Sequence, residues 1–285
     1  MEKVIIILIF LVTATSCVNK DGINDLKELN LKGRVKSVVE IPYNVKDSFG
    51  EITKGKIAQG FLDHNIGRTF NHNGYLIEHN KYNDLGGIYY RTIYLYDKNS
   101  NINELNRYDS DGKLIFKYKY IYDNYGNEIE EARYNNEGIL ISKYKHEYVY
   151  DKKGNKTEML FYDKKGVFKS KDVFSYDDNG NLIEFIEDFE EGSFKTKNSY
   201  KYNDKGNQIE WVSYKDGGVF DFKYINKYDS HSNIIKSTLS EYDTIQKTDF
   251  SYKYIFDEKN NWIRETQYTN GFPKKITERT IEYYD

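Results

Sequence analysis

Few residues in this 285-residue chain are equipped for chemistry, and they are scattered. The five histidines, His64, His72, His79, His146 and His231, fall at unrelated spacings, none of which brings two onto one metal ion. They read as satisfied surface or turn residues. No Gly-x-Ser-x-Gly elbow or phosphate loop nominates a reaction, and Cys17, the only cysteine, sits in an N-terminal leader. Glu190-Glu191 lies at a turn and reads as solvated. Asp177-Asp-Asn-Gly-Asn181 gathers oxygen ligands at a turn, yet lacks the distant bidentate Glu of a calcium loop. The sequence thus predicts no catalytic residue, no metal and no cofactor; a hydrolase is the least favoured reading.

Tyrosine beside charge does recur in register. Counting from the aromatics Phe70, Tyr96, Tyr122, Tyr150, Tyr176, Tyr202, Tyr228 and Phe256 as column 0, column 12 is Tyr at Tyr82, Tyr108, Tyr134, Tyr162, Tyr214 and Tyr268. Column 8 is Glu at Glu78, Glu104, Glu130, Glu158, Glu184 and Glu210, and column 21 is Arg91, Lys117, Lys143, Lys171, Lys197 and Lys223. A stripe of Tyr sharing a face with hydrogen-bonding charges can stack on the sugar rings of an extended glycan. The alternative is that Tyr at each strand end packs over the charges, without a ligand. Trp211 reads as core.

The elements that position these columns follow from the repeat. Eight units of 26 residues, lengthened to 28 in the third and seventh, run from residue 70 to 285. Asp or Asn in column 1, Gly in column 4 and Asn in column 5 are turn chemistry, and a second turn closes near column 16. Runs rich in Tyr, Phe, Ile and Val between them read as strands, so each unit is a β-hairpin and the region a meander of roughly sixteen strands. Two four-residue loops put column 8 directly opposite column 21 as a cross-strand ladder. They also group Ile77, Ile129, Ile183, Ile209, Phe168, Phe194 and Phe220 on one apolar face. Each unit slides two columns past the next, the shear of tilted strands in a curved sheet. The expected fold is all-β: an elongated, coiled antiparallel meander, open and superhelical or spiral.

At the N-terminus Met1-Glu-Lys3, a thin basic region, precedes nine apolar residues, Val4 to Val12, which are too few for a membrane span and suit a secretory signal over residues 1–16. Residues 17–30 read as a tether. Residues 31–69 hold a strand over 31–41, with Pro42 at its end or on an edge, and lose the repeat columns; they read as an N-terminal β cap. The eighth unit drifts and carries Pro273, as a C-terminal cap over an exposed edge should. A net charge of −3 from balanced acids and bases excludes a nucleic-acid groove. With 29 Tyr, 16 Phe and a mean hydropathy of −0.82, aromatics must supply the burial.

Tyr122-Asp-Asn-Tyr-Gly-Asn-Glu-Ile-Glu130, Tyr176-Asp-Asp-Asn-Gly-Asn-Leu-Ile-Glu184 and Tyr202-Asn-Asp-Lys-Gly-Asn-Gln-Ile-Glu210 resemble the YD (Rhs) repeats. Thr13-Ala-Thr-Ser-Cys17 resembles the lipobox of bacterial lipoproteins, with Ala14 where Leu is usual. Together they make the chain similar to YD-repeat lipoproteins of Bacteroidota. The resemblance implies lipidation at Cys17 and an exported protein anchored to the cell envelope at the outer membrane, and members of that family serve at cell surfaces in adhesion or carbohydrate contact. The residues themselves, lacking a catalytic motif, point to a non-enzymatic surface that binds a polysaccharide or a protein, with Tyr82, Tyr108, Tyr134, Tyr162 and Tyr214 as its candidate contacts. A structural or immunity-type partner of a co-encoded protein is the alternative.

Overall fold

The computed structural model describes residues 24–58, 65–83, 85–189 and 196–285. After a one-turn helix, α1 (Asp25–Glu28), the described chain is strand and turn, apart from a single 3₁₀ turn at Asp216–Gly218. The strands are β1 (Val35–Ser48), β2 (Glu51–Ile57), β3 (Asn65–Phe70), β4 (Leu76–Tyr82), β5 (Ile88–Tyr96), β6 (Ile102–Asp109), β7 (Leu114–Tyr122), β8 (Glu128–Asn135), β9 (Leu140–Tyr150) and β10 (Lys156–Asp163). They continue as β11 (Phe168–Tyr176), β12 (Leu182–Phe189), β13 (Thr196–Tyr202), β14 (Gln208–Lys215), β15 (Val219–Tyr228), β16 (Ile234–Glu241), β17 (Thr248–Phe256), β18 (Trp262–Thr269) and β19 (Phe272–Tyr283). From β3 onward each strand pairs antiparallel with the next.

The turns show why the repeat signature is Asp-x-x-Gly-Asn. In the turn after β9, Asp151 accepts the Gly154 N–H at its carbonyl, and its Oδ1 accepts the N–H groups of Lys153 and Asn155, both at 2.8 Å. Its Oδ2 takes the Asn155 side-chain amide at 2.9 Å. Gly154 sits at φ +85, the left-handed step that lets the chain re-enter a strand. Column 5 Asn does not supply positive φ, as its turn-forming reputation suggests. It is a clamp on the column 1 carboxylate, repeated at Asn127, Asn181 and Asn233. The second turns reuse the arrangement, with Asp163 accepting from Lys165 and Val167.

The repeated turns are therefore tighter than four-residue loops and are followed by a bulge, which shifts the register by two residues; the β12–β13 and β16–β17 pairings, which end at Glu187–Thr196 and Leu239–Thr248, carry no such shift. Glu158 lies opposite Val173, and Leu160 opposite Lys171. The charge ladder survives on the diagonal: Glu104–Lys117 at 3.3 Å, Glu130–Lys143 at 2.7 Å, Glu158–Lys171 at 3.5 Å, Glu184–Lys197 at 2.5 Å and Glu210–Lys223 at 2.6 Å. The bulge falls at column 7, between Lys156 opposite Tyr150 and Glu158 opposite Val149. The isoleucines assigned to the apolar face thus occupy bulge positions, and Ile183 is 37% exposed. Phe168 lies opposite Tyr162, and Phe194 falls outside the described residues.

The two register errors cancel between units. Glu158 aligns through Val173 with Ile186, two columns on in the next repeat, so the expected slide holds. The open sheet does not. β1 pairs with β19 from Val35–Tyr283 to Asn44–Lys275, and with β3 from Ser37–Thr69 to Glu40–Ile66. The result is a closed antiparallel barrel of eighteen strand positions, with β2 continuing the β3 position along the far half of β1. Segments read as caps over two free edges pair with each other instead, because a ring leaves no edge to blunt. Pro42 lies inside β1, in the gap between the residues paired with β3 and with β2. Its carbonyl accepts the Ala58 N–H on that side, so its missing N–H costs no ladder bond.

The concave face carries the aromatics of columns 0, 22 and 24. Their hydroxyls bond back across the sheet: Tyr96 to the Leu76 carbonyl at 2.7 Å, Tyr122 to Ile102 at 2.8 Å, Tyr202 to Leu182 at 2.8 Å and Tyr228 to Gln208 at 2.7 Å. At the seam Glu40 lies between Arg279 at 2.7 Å and Arg68 at 3.2 Å, joining β19, β1 and β3. Residues 24–34 cross the rim formed by the first turns. Leu26 and Leu31 pack with Val35, Val38 and Phe70, while Asn30 bonds the His231 carbonyl and Lys32 N–H the Asn261 side chain.

Candidate functional site

The tyrosine stripe lies on the convex face with the ladder, at the ends of alternate strands. Its rings are half-buried at Tyr82, Tyr108, Tyr134, Tyr162 and Tyr214. Each covers an apolar neighbour directly opposite: Tyr108 over Leu114, Tyr134 over Leu140, Tyr162 over Phe168 with ring centroids at 5.8 Å, Tyr214 over Phe220 at 6.3 Å. Cations lie over two of these rings. The Arg91 guanidinium lies 5.4 Å from the Tyr108 ring, Lys119 Nζ lies 6.0 Å from Tyr134, and Tyr162 donates to Glu147 at 3.2 Å. Most of the stripe is structural packing, and the structure does not gather its members into one cleft.

At Tyr134 the packing opens. A groove of about 280 Å³ is bounded by Asn103, Glu104, Lys119, Glu130, Ala132 and Tyr134. Column 10 explains it: this position is Leu160 and Val212 in later units but Ala132 here, 4% exposed, and the missing side-chain volume leaves the floor low. Lys117 and Lys143 hold Glu104 and Glu130 in place. Burial works to raise the Glu104 carboxyl, but the Asn106 amide and Lys117 outweigh it and hold it below the usual carboxylate range. The groove therefore offers the Tyr134 ring, the carboxylates of Glu104 and Glu130, and one lysine.

The concave wall holds titratable groups that the sequence did not single out. The bulge at Ile129 turns Glu128 inward, opposite Tyr122, on the same side as Glu131 opposite Tyr120. Burial, then Glu131, pushes Glu128 up to about 7. His146 Nδ1 lies 3.5 Å from its Oε1, and burial lowers the imidazole. Burial thus disfavours the charged form of both partners in this contact. His79 is held down to about 4 by burial, then by Arg68 and Arg107. Only cross-strand register brings these residues together, which is why sequence spacing was silent on them.

No His, Cys, Asp or Glu cluster among the described residues fits a metal ion. At Asp177 the oxygens serve the Asn179 and Asn181 N–H groups and the Asn181 amide, so the turn that suggested calcium uses its own carboxylate. Cys17, His64 and Glu190-Glu191 lie outside the described residues.

No protein-family model matches the chain, and no curated protein matches it. Among solved structures it is similar to a porin-like protein from Bacteroides uniformis, at 11% identity over 88% of this chain and 98% of that one, with a TM-score of 0.42. A porin-like protein from Bacteroides vulgatus has the same identity and coverage and a TM-score of 0.34. The chain is also similar to part of TcdB2-TccC3-Cdc42, at 11% identity over 80% of this chain and 17% of that one, with a TM-score of 0.33.

Proposed function

We propose that this chain is a non-enzymatic cell-envelope protein that binds glycan at the groove beside Tyr134 on the outside of its barrel. The observation that carries the reading is the groove itself, a departure from the repeat at Ala132 that places a ring face between fixed hydrogen-bonding charges. A pyranose stacks on Tyr134 while Glu104, Glu130 and Lys119 meet its hydroxyls.

The polarity of the wall supports attachment to a membrane over insertion in one. Five Glu–Lys pairs stand mid-strand on the convex face, and a Lys facing lipid at the bilayer midplane costs about 2–4 kcal/mol. Acylation of Cys17, as in the YD-repeat lipoproteins the sequence resembles, supplies the attachment. Seven residue steps lead from Cys17 to Asn24 and reach at most roughly 25 Å, so the rim crossed by residues 24–34 faces the membrane.

A broad glycan array probed with the full chain tests the reading. Retention on a defined glycan is expected, with at least a tenfold loss for Tyr134→Ser and for Ala132→Leu, which fills the groove, while both keep the wild-type circular dichroism. No retention on any glycan overturns it in favour of a protein partner.

A further inference from the structure

A second surface, on the opposite face of the wall, is built differently. Along the concave side of β4 to β8 runs an alternating row of cations and rings: Lys81, Tyr90, Arg107, Phe116, Arg133 and Tyr118. Lys81 Nζ lies 5.9 Å from the Tyr90 ring centre. The Arg107 guanidinium lies 4.5 Å from Tyr90 and 5.1 Å from Phe116, and that of Arg133 lies 4.8 Å from Phe116 and 5.7 Å from Tyr118. Lys81 is directly opposite Tyr90, Arg107 opposite Phe116 and Arg133 opposite Tyr118, so the row follows from strand register.

The row is not scaffold. Column 11 is Lys81, Arg107 and Arg133 in the first three units, then Phe161, Glu187, Ser213, Leu239 and Gln267. Five units fold the same way without the cation. Elsewhere on this face arginines are neutralised: Arg68 and Arg279 share Glu40. Among the described residues the arginines in ion pairs are Arg68, Arg264 and Arg279, not Arg107 or Arg133. Arg107 donates from Nε to Thr92 Oγ1 at 3.2 Å, and Arg133 Nε is buried without a partner. Asp109, opposite Tyr90, spends Oδ1 on its own turn. Glu131, two residues from Arg133, is the acid that feels its charge, at longer range. His79 on this wall is neutral at pH 7 and answers neither arginine.

We infer that this row is the binding site for an acidic polysaccharide, with Arg107 and Arg133 taking successive carboxylate or sulfate groups. The inference rests on the glycan reading above and names a second ligand class at a separate face. Guanidinium groups clamped between rings keep their planes fixed and present N–H edges, the geometry that accepts an oxyanion through two bonds. The two arginines stand on β6 and β8, two strand spacings across and two residues along the strands, or roughly 12 Å apart, so one extended chain meets both. Nucleic-acid strands bind such surfaces by stacking bases on open ring faces. Here the guanidinium groups cover those faces, which leaves oxyanion recognition. The row lies two residues below the second turns, just inside the rim opposite the one crossed by residues 24–34.

The test is titration of the full chain with polygalacturonate, dextran sulfate, neutral dextran, oligo(dT) and poly-glutamate. The two acidic polysaccharides should bind, weakening as salt rises, and Arg107→Gln/Arg133→Gln should lose at least tenfold in affinity with an unchanged glycan-array profile at the Tyr134 groove. In the wild-type chain polygalacturonate should protect Arg107 and Arg133, but not Arg91, from phenylglyoxal, a readout that does not depend on the variant folding. Equal binding of neutral dextran, equal or tighter binding of oligo(dT) or poly-glutamate, or protection absent at both arginines overturns the inference. If the acidic polysaccharides fail while Tyr134-dependent retention on another glycan persists, this site is refuted and the groove stands. Loss of all glycan binding refutes both.

Discussion

Asp172 shows how the barrel treats a carboxylate on its concave wall. It lies directly opposite Glu187, is 8% exposed beside Phe174, and is pushed up to about 7 by burial and then by Glu187. A raised carboxyl makes the folded state bind a proton that the unfolded chain releases near 4. Stability from this site is therefore intact below about pH 4, falls as pH rises, and levels off above about pH 7. Asp172→Asn removes the titration. The variant should match wild type at pH 4 and exceed it by roughly 1–3 kcal/mol at pH 8. Urea unfolding at both pH values measures the difference, and equal stabilities at pH 8 would show that the carboxylate is solvated there. Asp172 and Glu187 are fifteen residues apart in the sequence, and nothing but the register brings them together. A scan for paired acids along the chain finds Glu190-Glu191 and passes over this pair.

At the scale of the hairpin the turn chemistry was legible and the register was off by two. Asp, Gly and Asn at fixed offsets announce a turn, but the bulge that follows it has no residue type of its own. Ile, Thr and Asn all occupy column 7. The slide between units was still readable, because both turns carry the same error with opposite effect. Column 4 offers a clean measurement. Ser100 holds φ +65 where most units have Gly, while a Cβ on Gly154, at φ +85, would meet nothing within 4 Å. Steric crowding is thus absent and the cost of a side chain is conformational alone. Ser100→Gly should stabilise the fold by roughly 0.5–1 kcal/mol, and Gly154→Ala should destabilise it by about 1 kcal/mol. Thermal unfolding with shifts of the same sign for both would contradict the left-handed assignment of this position.

Closure is a property of the whole molecule, and the repeat could not reveal it. A slide of one residue per strand tilts strands as in an eight-stranded barrel of shear eight, by about 36°, whether the sheet closes or winds on. Which of the two occurs depends on the partners of the first and last strands. β1 lies in the stretch that had lost the repeat columns, and its fit to β19 resides in particular residues such as Glu40 between Arg68 and Arg279. The Tyr134 groove and the arginine row were hidden for a related reason: the first arises in one unit and the second in three, at columns outside the consensus that made the repeat visible. A disulfide across the seam decides the closure directly. Val39 and Thr280 are directly opposite in the β1–β19 pairing, and such residues stand about 4.5–5.5 Å apart at Cα, within disulfide reach. In a Cys17→Ala background, Val39→Cys/Thr280→Cys should oxidise fully in the folded state and run faster than its reduced form on a denaturing gel. It should also gain stability of about 2–4 kcal/mol, since the cross-link closes a loop spanning nearly the whole chain. An open spiral holds these two residues far apart and leaves both thiols free. Oxidation that appears only at high protein concentration, as a dimer, would mean that each edge pairs with another molecule and that the ring does not close within one chain.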